Sequence, residues 1–270
     1  MNIVNIAAYK FVNLTELDAL QQQLLDVCLD LNIKGTILLS EEGINLILAG
    51  VANSIDTFIT HLTNDTRFVD IDFKKSPSEK HPFRRMRVRL KEEIVTMKVP
   101  GVAPEKHTGK RISAQQLKQW LDENKEFNFI DTRNDYEIEL GTFNKAVDFD
   151  IKKFSDYPDV IKQSTLDRSK PTVTFCTGGI RCEKATVATM DAGFEDVYQL
   201  DGGILKYFEE CGSDHYHGNC FVFDQRTSIT SQFAETGLTQ CPRCNHFITA
   251  DEQGHPDYIA WKRCQYCPND

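Results

Sequence analysis

Read for the period of its apolar positions, the chain opens with a strand from Asn2 to Val12. Asn13, with Glu16 three residues on, predicts a helix start. Leu17, Leu20, Leu24, Cys28 and Leu31 then recur at helical spacing and make one apolar face, with Cys28 a core residue on it. Gly35 to Ser40 and Ile44 to Ala49 read as two strands joined in a hairpin at Glu41-Glu42-Gly43. A weaker helical pattern runs from about Asn53 to Leu62, and Phe68 to Phe73 alternates as another strand. The order β-α-β-β-α-β fits a ferredoxin-like domain.

The pattern then changes. Val99-Pro-Gly-Val-Ala-Pro104 is rich in turn residues and predicts a linker. Beyond it, Ser113 and Gln116 cap a helix that buries Leu117, Trp120 and Leu121. Strands at Phe127 to Arg133, Thr172 to Phe175 and Val197 to Leu200 alternate with helices over Cys182 to Met190, ending at Gly193, and from Gly203 to about Glu210. Strand and helix in alternation predict a mainly parallel sheet covered on both faces. The whole reads as an α/β and α+β multidomain protein: a ferredoxin-like domain over 1–98, a linker over 99–109, a parallel-sheet α/β domain over 110–211, and a Cys-rich extension over 212–270.

Composition alters this picture in two places. The 270 residues are 40% apolar and 26% charged, ordinary for a globular protein. There is no apolar run near the ~18 residues of a membrane span, and no basic-then-apolar leader, so no membrane partner is expected. Nine cysteines, an odd number with two close pairs, suggest a reducing compartment, and hence the cytoplasm. The net charge is −9, yet Lys74 to Lys91 holds eight Lys/Arg and one acid, so this island is +7 and the remainder −16. Within it Arg84, Arg85, Arg87 and Arg89 are candidate nucleic-acid contacts. On a strand, Arg85, Arg87 and Arg89 share one solvent face while Met86, Val88 and Leu90 are buried; guanidinium forks suit phosphates.

Candidate chemistry concentrates in Cys176-Thr-Gly-Gly-Ile-Arg181, placed where a strand ends and a helix begins. Reactive groups in open α/β sheets gather at the carboxyl ends of strands. Small side chains at Thr177, Gly178 and Gly179 let the loop amides, continued by Ile180, turn inward as a nest beside the positive end of a helix. With the charge of Arg181, this predicts a Cys176 pKa below the ordinary ~8.5. A second signal lies in the tail. Cys241-x-x-Cys244 and Cys264-x-x-Cys267, nineteen residues apart, have the spacing of a four-thiolate zinc site of structural type. Asp214-His-Tyr-His217 is read as a solvated loop rather than a redox-metal site, and no Gly-rich dinucleotide or Walker motif predicts a nucleotide cofactor.

The loop resembles that of the rhodanese superfamily, in which a cysteine and an arginine are separated by four residues. Related phosphatases place the arginine one residue later, where this chain has Cys182. The resemblance implies sulfur chemistry or a small planar substrate over phosphoryl transfer, and implies that Asp131, Arg133 and Glu137 support the fold. Cys182 could resolve an oxidised Cys176. At larger scale, Gly35-Thr-Ile-Leu-Leu-Ser-Glu-Glu-Gly-Ile-Asn45, Cys176-Thr-Gly-Gly-Ile-Arg-Cys-Glu-Lys-Ala185 and Gly218-Asn-Cys-Phe-Val-Phe-Asp-Gln-Arg226 resemble the TrhO family of bacterial tRNA uridine hydroxylases. That resemblance implies oxygen-dependent conversion of the wobble uridine to 5-hydroxyuridine. It also implies an anticodon stem-loop of tRNA as partner, molecular oxygen as co-substrate, and Cys176 as the essential cysteine. The alternative expectation is a sulfurtransferase that carries a persulfide on Cys176.

Overall fold

The computed structural model describes residues 3–268. Its first part is β1 (Ile3–Phe11), α1 (Leu17–Asp30), β2 (Lys34–Ser40), β3 (Gly43–Val51), α2 (Ala52–Thr63), β4 (Lys74–Ser78) and β5 (Met86–Leu90). The strand order is β4-β1-β3-β2-β5, antiparallel except for β5, which joins the edge parallel to β2. Alternation along the strands separates the two faces of this sheet. Ile6, Ile37, Leu39, Leu46 and Leu48 pack on Leu24, Cys28, Ile55 and Phe58 of the two helices. Asn5, Tyr9, Thr36, Leu38, Asn45 and Ile47 form the other face, which carries no helix of its own and turns toward the second domain.

Two local expectations are corrected here. Residues 68–73 do not form a strand: Thr66–Phe68 is a 3-10 turn in which the Asp65 carboxylate accepts the Arg67 amide at 2.9 Å. The apparent alternation came from Phe68 and Ile71, both buried as anchors of that turn. The helix-start pairing of Asn13 with Glu16 is also absent, since Glu16 sits at φ 54° directly before α1. The intervening backbone serves the sheet instead, with the Val12 and Leu14 amides donating to the carbonyls of Glu42 and Glu41.

The second part contains β6 (Lys110–Ile112), α3 (Ala114–Asp122), β7 (Asn128–Asp131), α4 (Asp135–Glu139), β8 (Gly141–Phe143), α5 (Tyr157–Gln163), β9 (Thr172–Phe175), α6 (Ile180–Asp191), β10 (Val197–Leu200) and α7 (Gly203–Cys211). Ser113 and Gln116 close the capping box that their spacing predicts. The sheet order β6-β10-β9-β7 is wholly parallel. One face packs Phe129 and Phe175 on Leu117 and Ile204, from α3 and α7. The other packs Ile130 and Val197 on Ile161 and Ala185, from α5 and α6. β7 and β9 are buried along their whole length, their polar members Asn128, Asp131, Thr172 and Thr174 included, because helices cover both faces of the parallel sheet.

The extension has two parts. β11 (Tyr216–Gly218) pairs with β8, and β12 (Cys220–Phe221) pairs with β13 (Ser228–Ile229). Tyr216, Cys220, Val222 and Ile229 complete the core of the parallel-sheet domain. β14 (Thr239–Gln240) and β15 (Phe247–Ile248) then form a small hairpin whose core is Ile248 with Cys241 and Cys264. The two larger domains are in contact: Met97, on the way out of the first, is buried with Ile130 and Ile151 of the second. Among the described residues no helix is long and apolar enough to cross a membrane.

Candidate active site

Cys176 follows the last residue of β9, and the chain then makes a tight loop into α6. Two glycines permit it. Gly179 has φ 98°, and a side chain there would strike the hydroxyl of Tyr9 from the first domain. Gly203 has φ 67°, and its bare Cα lets the start of α7 approach the loop, where a Cβ would lie 2.5 Å from the Cys176 carbonyl. The amides of Ile204 and Leu205 donate to the carbonyls of Cys176 and Thr177 at 3.0 and 3.1 Å, bracing the loop from below.

Cys176 is 1% exposed, and its sulfur accepts the Gly179 amide at 3.1 Å. Burial alone pushes its pKa up. A hydrogen bond from the Cys182 thiol, the Arg181 charge, and the amides of Arg181 and Gly179 outweigh it and bring Cys176 down to about 6. Cys182 moves the opposite way, held protonated by burial and by the charge on Cys176.

Arg181 acts on the sulfur through its amide and its field, while its guanidinium points elsewhere. Nη1 and Nη2 grip Glu137 Oε1 and Oε2 at 2.5 and 2.7 Å in a buried fork. Glu137, expected only as a support of the fold, is thus the counter-ion of the loop arginine. Asp131 and Arg133 form a second ion pair, 0% exposed, whose guanidinium also donates to the Gly141 carbonyl.

A cavity of about 510 Å³ opens beside the sulfur. Its floor includes Cys176, Thr177, Gly178, Ile180 and Arg181; its roof is the helix-free face of the first domain's sheet; Phe223 and Arg226 of the extension close one side. Arg226 grips Asp224 in a fork and donates to Ser76 Oγ and the Pro77 carbonyl, tying the extension to β4.

The basic island divides. Lys74, Lys75 and Lys91 line the cavity. Register pairs Arg87 with Thr36 and Arg89 with Leu38, which places both arginines on the cavity-facing side of the sheet, at its edge. Arg84, Arg85 and Arg89 are exposed; Arg85, expected on the strand with Arg87 and Arg89, instead precedes β5, and Arg84 lies over the Trp261 ring, 4.4 Å from its centroid. Of the three apolar partners, Val88 is buried, Met86 packs partly against the core, and Leu90 is 37% exposed, because it ends an edge strand.

Two contacts between the domains carried no signal in the sequence. Tyr9 donates to Glu183 Oε1 at 3.1 Å, and Glu183 also accepts from Arg111 and Gln199. Lys184, on the next residue of α6, reaches Glu42 and Glu93 of the first domain at 2.8 and 2.6 Å.

The four tail cysteines converge, with Sγ atoms within 4.8 Å of one another. Individual separations are 3.5 Å for Cys241–Cys267 and Cys244–Cys264, 3.8 Å for Cys244–Cys267 and 4.0 Å for Cys264–Cys267. A tetrahedron with Zn–S bonds of ~2.3 Å has edges of ~3.8 Å, so the donor set fits a metal ion. Among the described residues it is the only such cluster. His215 contacts Asp122 and His217 contacts Asn144, so these histidines do not converge on one metal.

A parallel sheet with a cysteine nest at a strand end defines a rhodanese-type domain, and residues 113–210 match the family model described as Rhodanese-like domain. Residues 3–94 match the UPF0176 acylphosphatase like domain. The chain is 48% identical over 273 residues to a tRNA uridine(34) hydroxylase of Cupriavidus pinatubonensis, covering 99% of this chain and 97% of that protein. It is 46% identical over 280 residues to one of Paraburkholderia xenovorans, covering 100% and 98%. The chain belongs to the tRNA uridine(34) hydroxylase family.

Proposed function

We propose that this protein hydroxylates uridine 34 of tRNA to 5-hydroxyuridine in the cytoplasm, with molecular oxygen as co-substrate and Cys176 as the reacting sulfur. One observation carries the role of Cys176: a buried sulfur, with its pKa lowered to about 6, faces a cavity large enough for a nucleobase. The thiolate adds to C6 of the uracil ring, and the carbanion that appears at C5 adds to oxygen. One oxygen atom stays on C5 and the other leaves as water, with two electrons and two protons drawn net from a thiol reductant. Loss of the C5 proton then expels the Cys176 thiolate and restores the ring double bond. The amides of the nest stabilise the negative charge held near the loop. Arg181, fixed by Glu137, supplies a cationic field without being displaced on turnover.

Lys74, Lys75 and Lys91, with the edge arginines Arg84, Arg85, Arg87 and Arg89, hold the phosphates of the anticodon stem-loop while the base is turned inward. The domains divide the work as 1–98, the linker 99–109, 110–211 and 212–270. Cys241, Cys244, Cys264 and Cys267 hold zinc; four thiolates leave it no open position, so it orders the tail and does no chemistry.

The test is the wobble nucleoside in tRNA from cells lacking the protein, complemented with wild type, Cys176→Ala, or the triple Arg85/Arg87/Arg89→Ala. Wild type restores 5-hydroxyuridine and both variants fail. Restoration by Cys176→Ala refutes the role of the sulfur. Mass spectrometry of the resting enzyme separates direct thiolate attack from a carried sulfur, since a persulfide adds ~32 Da to Cys176.

A further inference from the structure

Phe223 is a large apolar side chain that the fold leaves 49% exposed, and it lines the cavity of Cys176. Leaving such a ring in water costs stability, and the loop that carries it is not loose. The Val222 amide donates to the Thr227 carbonyl at 2.9 Å, and Gln225 donates to the Pro82 carbonyl at 3.1 Å. Arg226 is buried and clamped to Asp224, Ser76 and Pro77. The ring itself is backed twice. The Arg181 guanidinium lies 5.6 Å from its centroid, and Phe221 meets it at 84° with centroids 5.0 Å apart. A rigid loop from the extension therefore holds an aromatic surface at the cavity of the reactive cysteine.

We propose that Phe223 is the stacking platform for the base that enters the cavity, a positioning residue that holds the uracil plane against the sulfur. The inference rests on the hydroxylase reading and deepens it by naming what holds the base. Unpaired RNA bases are recognised by stacking on aromatic rings, and the energy is tolerant of base identity. In this arrangement Phe223 supplies affinity and orientation. The backing by Arg181 links the platform to the nest, since the same guanidinium sits against Glu137 below the loop.

The experiment compares wild type, Phe223→Ala, Phe223→Leu and Phe223→Trp in the full-length protein. The first readout is binding, in 0.1 M salt, of two anticodon stem-loop RNAs that differ only in carrying uridine or an abasic site at position 34. Wild type is expected to prefer the uridine RNA about ten-fold. Phe223→Ala and Phe223→Leu lose that preference while binding the abasic RNA as wild type does, and Phe223→Trp recovers most of it. The leucine variant keeps apolar bulk without a π face, so it separates stacking from packing. Unchanged preference in Phe223→Leu overturns the proposal. The second readout is 5-hydroxyuridine formation, expected to fall at least ten-fold in the alanine and leucine variants. A wild type that discriminates the RNAs but forms no 5-hydroxyuridine refutes the hydroxylase reading and leaves the stacking result standing. A wild type that hydroxylates but shows no preference for the base refutes the stacking alone.

Discussion

Replacing Lys184 with methionine tests how the two domains are held over the sulfur. The Lys184 side chain is 2% exposed and its ammonium lies between Glu42 and Glu93, whose side chains are 18% and 21% exposed. Glu42 also accepts the Ile94 amide, and Glu93 the amides of Met97 and Lys98, so the two acids are themselves fixed. At contact distance an effective dielectric of ~20 gives ~6 kcal/mol of attraction per pair before desolvation. Removing the ammonium from water costs several kcal/mol of that. Breaking a fully buried pair costs ~3–5 kcal/mol. Here the acids can rehydrate when the cation goes, so Lys184→Met should lose ~2–3 kcal/mol. Methionine keeps most of the aliphatic stem and removes only the ammonium, including its place 5.8 Å over the Phe11 ring, so the loss reports charge more than volume. In urea this lowers the midpoint by about 1 M. The pH dependence has a definite sign. Burial raises the Glu93 pKa, but the Lys184 contact and two amides outweigh it and hold it below the ordinary carboxylate value. Its stabilisation is therefore present above that ordinary value and disappears as pH falls through the depressed one, so the gap between wild type and Lys184→Met narrows below about pH 4. A loss under ~0.5 kcal/mol at pH 7 refutes the reasoning, because it is the worth of an exposed pair.

Three further outcomes follow from the same geometry. Cys182→Ala removes a thiol donor to Cys176, and since hydrogen bonds to charged groups are worth ~1.5–3 kcal/mol and a thiol is a weak donor, the Cys176 pKa should rise by about one unit in an alkylation profile. Cys182→Ser keeps a donor, and full turnover by that variant excludes Cys182 as a resolving thiol. A chelator that strips metal from the Cys241, Cys244, Cys264 and Cys267 set should open the tail to proteolysis, because structural zinc supplies the folding energy of such small units; an equally resistant tail contradicts a zinc site. The triple Arg85/Arg87/Arg89→Ala variant should bind tRNA with a salt dependence shallower by about two to three in log–log slope, at ~0.7–0.9 for each phosphate that is no longer neutralised.

What was legible in the sequence was what a short stretch decides by itself. The hairpin at Glu41-Glu42 rests on two adjacent apolar runs, and the box of Ser113 and Gln116 on a three-residue spacing. The sulfur nest needed only a strand end, two glycines and a helix start. The convergence of the four tail cysteines followed from their spacing alone. What escaped depends on distant residues meeting. Tyr9 sits in the first strand, 174 positions from its partner Glu183, and reads there as an ordinary strand aromatic. Lys184 reads as a solvated helix residue until Glu42 and Glu93 close around it. Glu137 and Arg181 were each visible, but their pairing required the loop to turn the guanidinium away from the sulfur. The strand expected over 68–73 failed for a different reason: two anchors of a 3-10 turn, Phe68 and Ile71, mimic alternation when their backbone is not considered.

The electron-rich sulfur is tested most directly by the rate at which iodoacetamide alkylates Cys176, followed by peptide mass spectrometry from pH 4.5 to 9.5. Because the pKa is lowered, the thiolate persists above about pH 6 and is lost as pH falls through that value, so a titration midpoint near 6 is expected. A midpoint near the ordinary ~8.5 of a free thiol contradicts it.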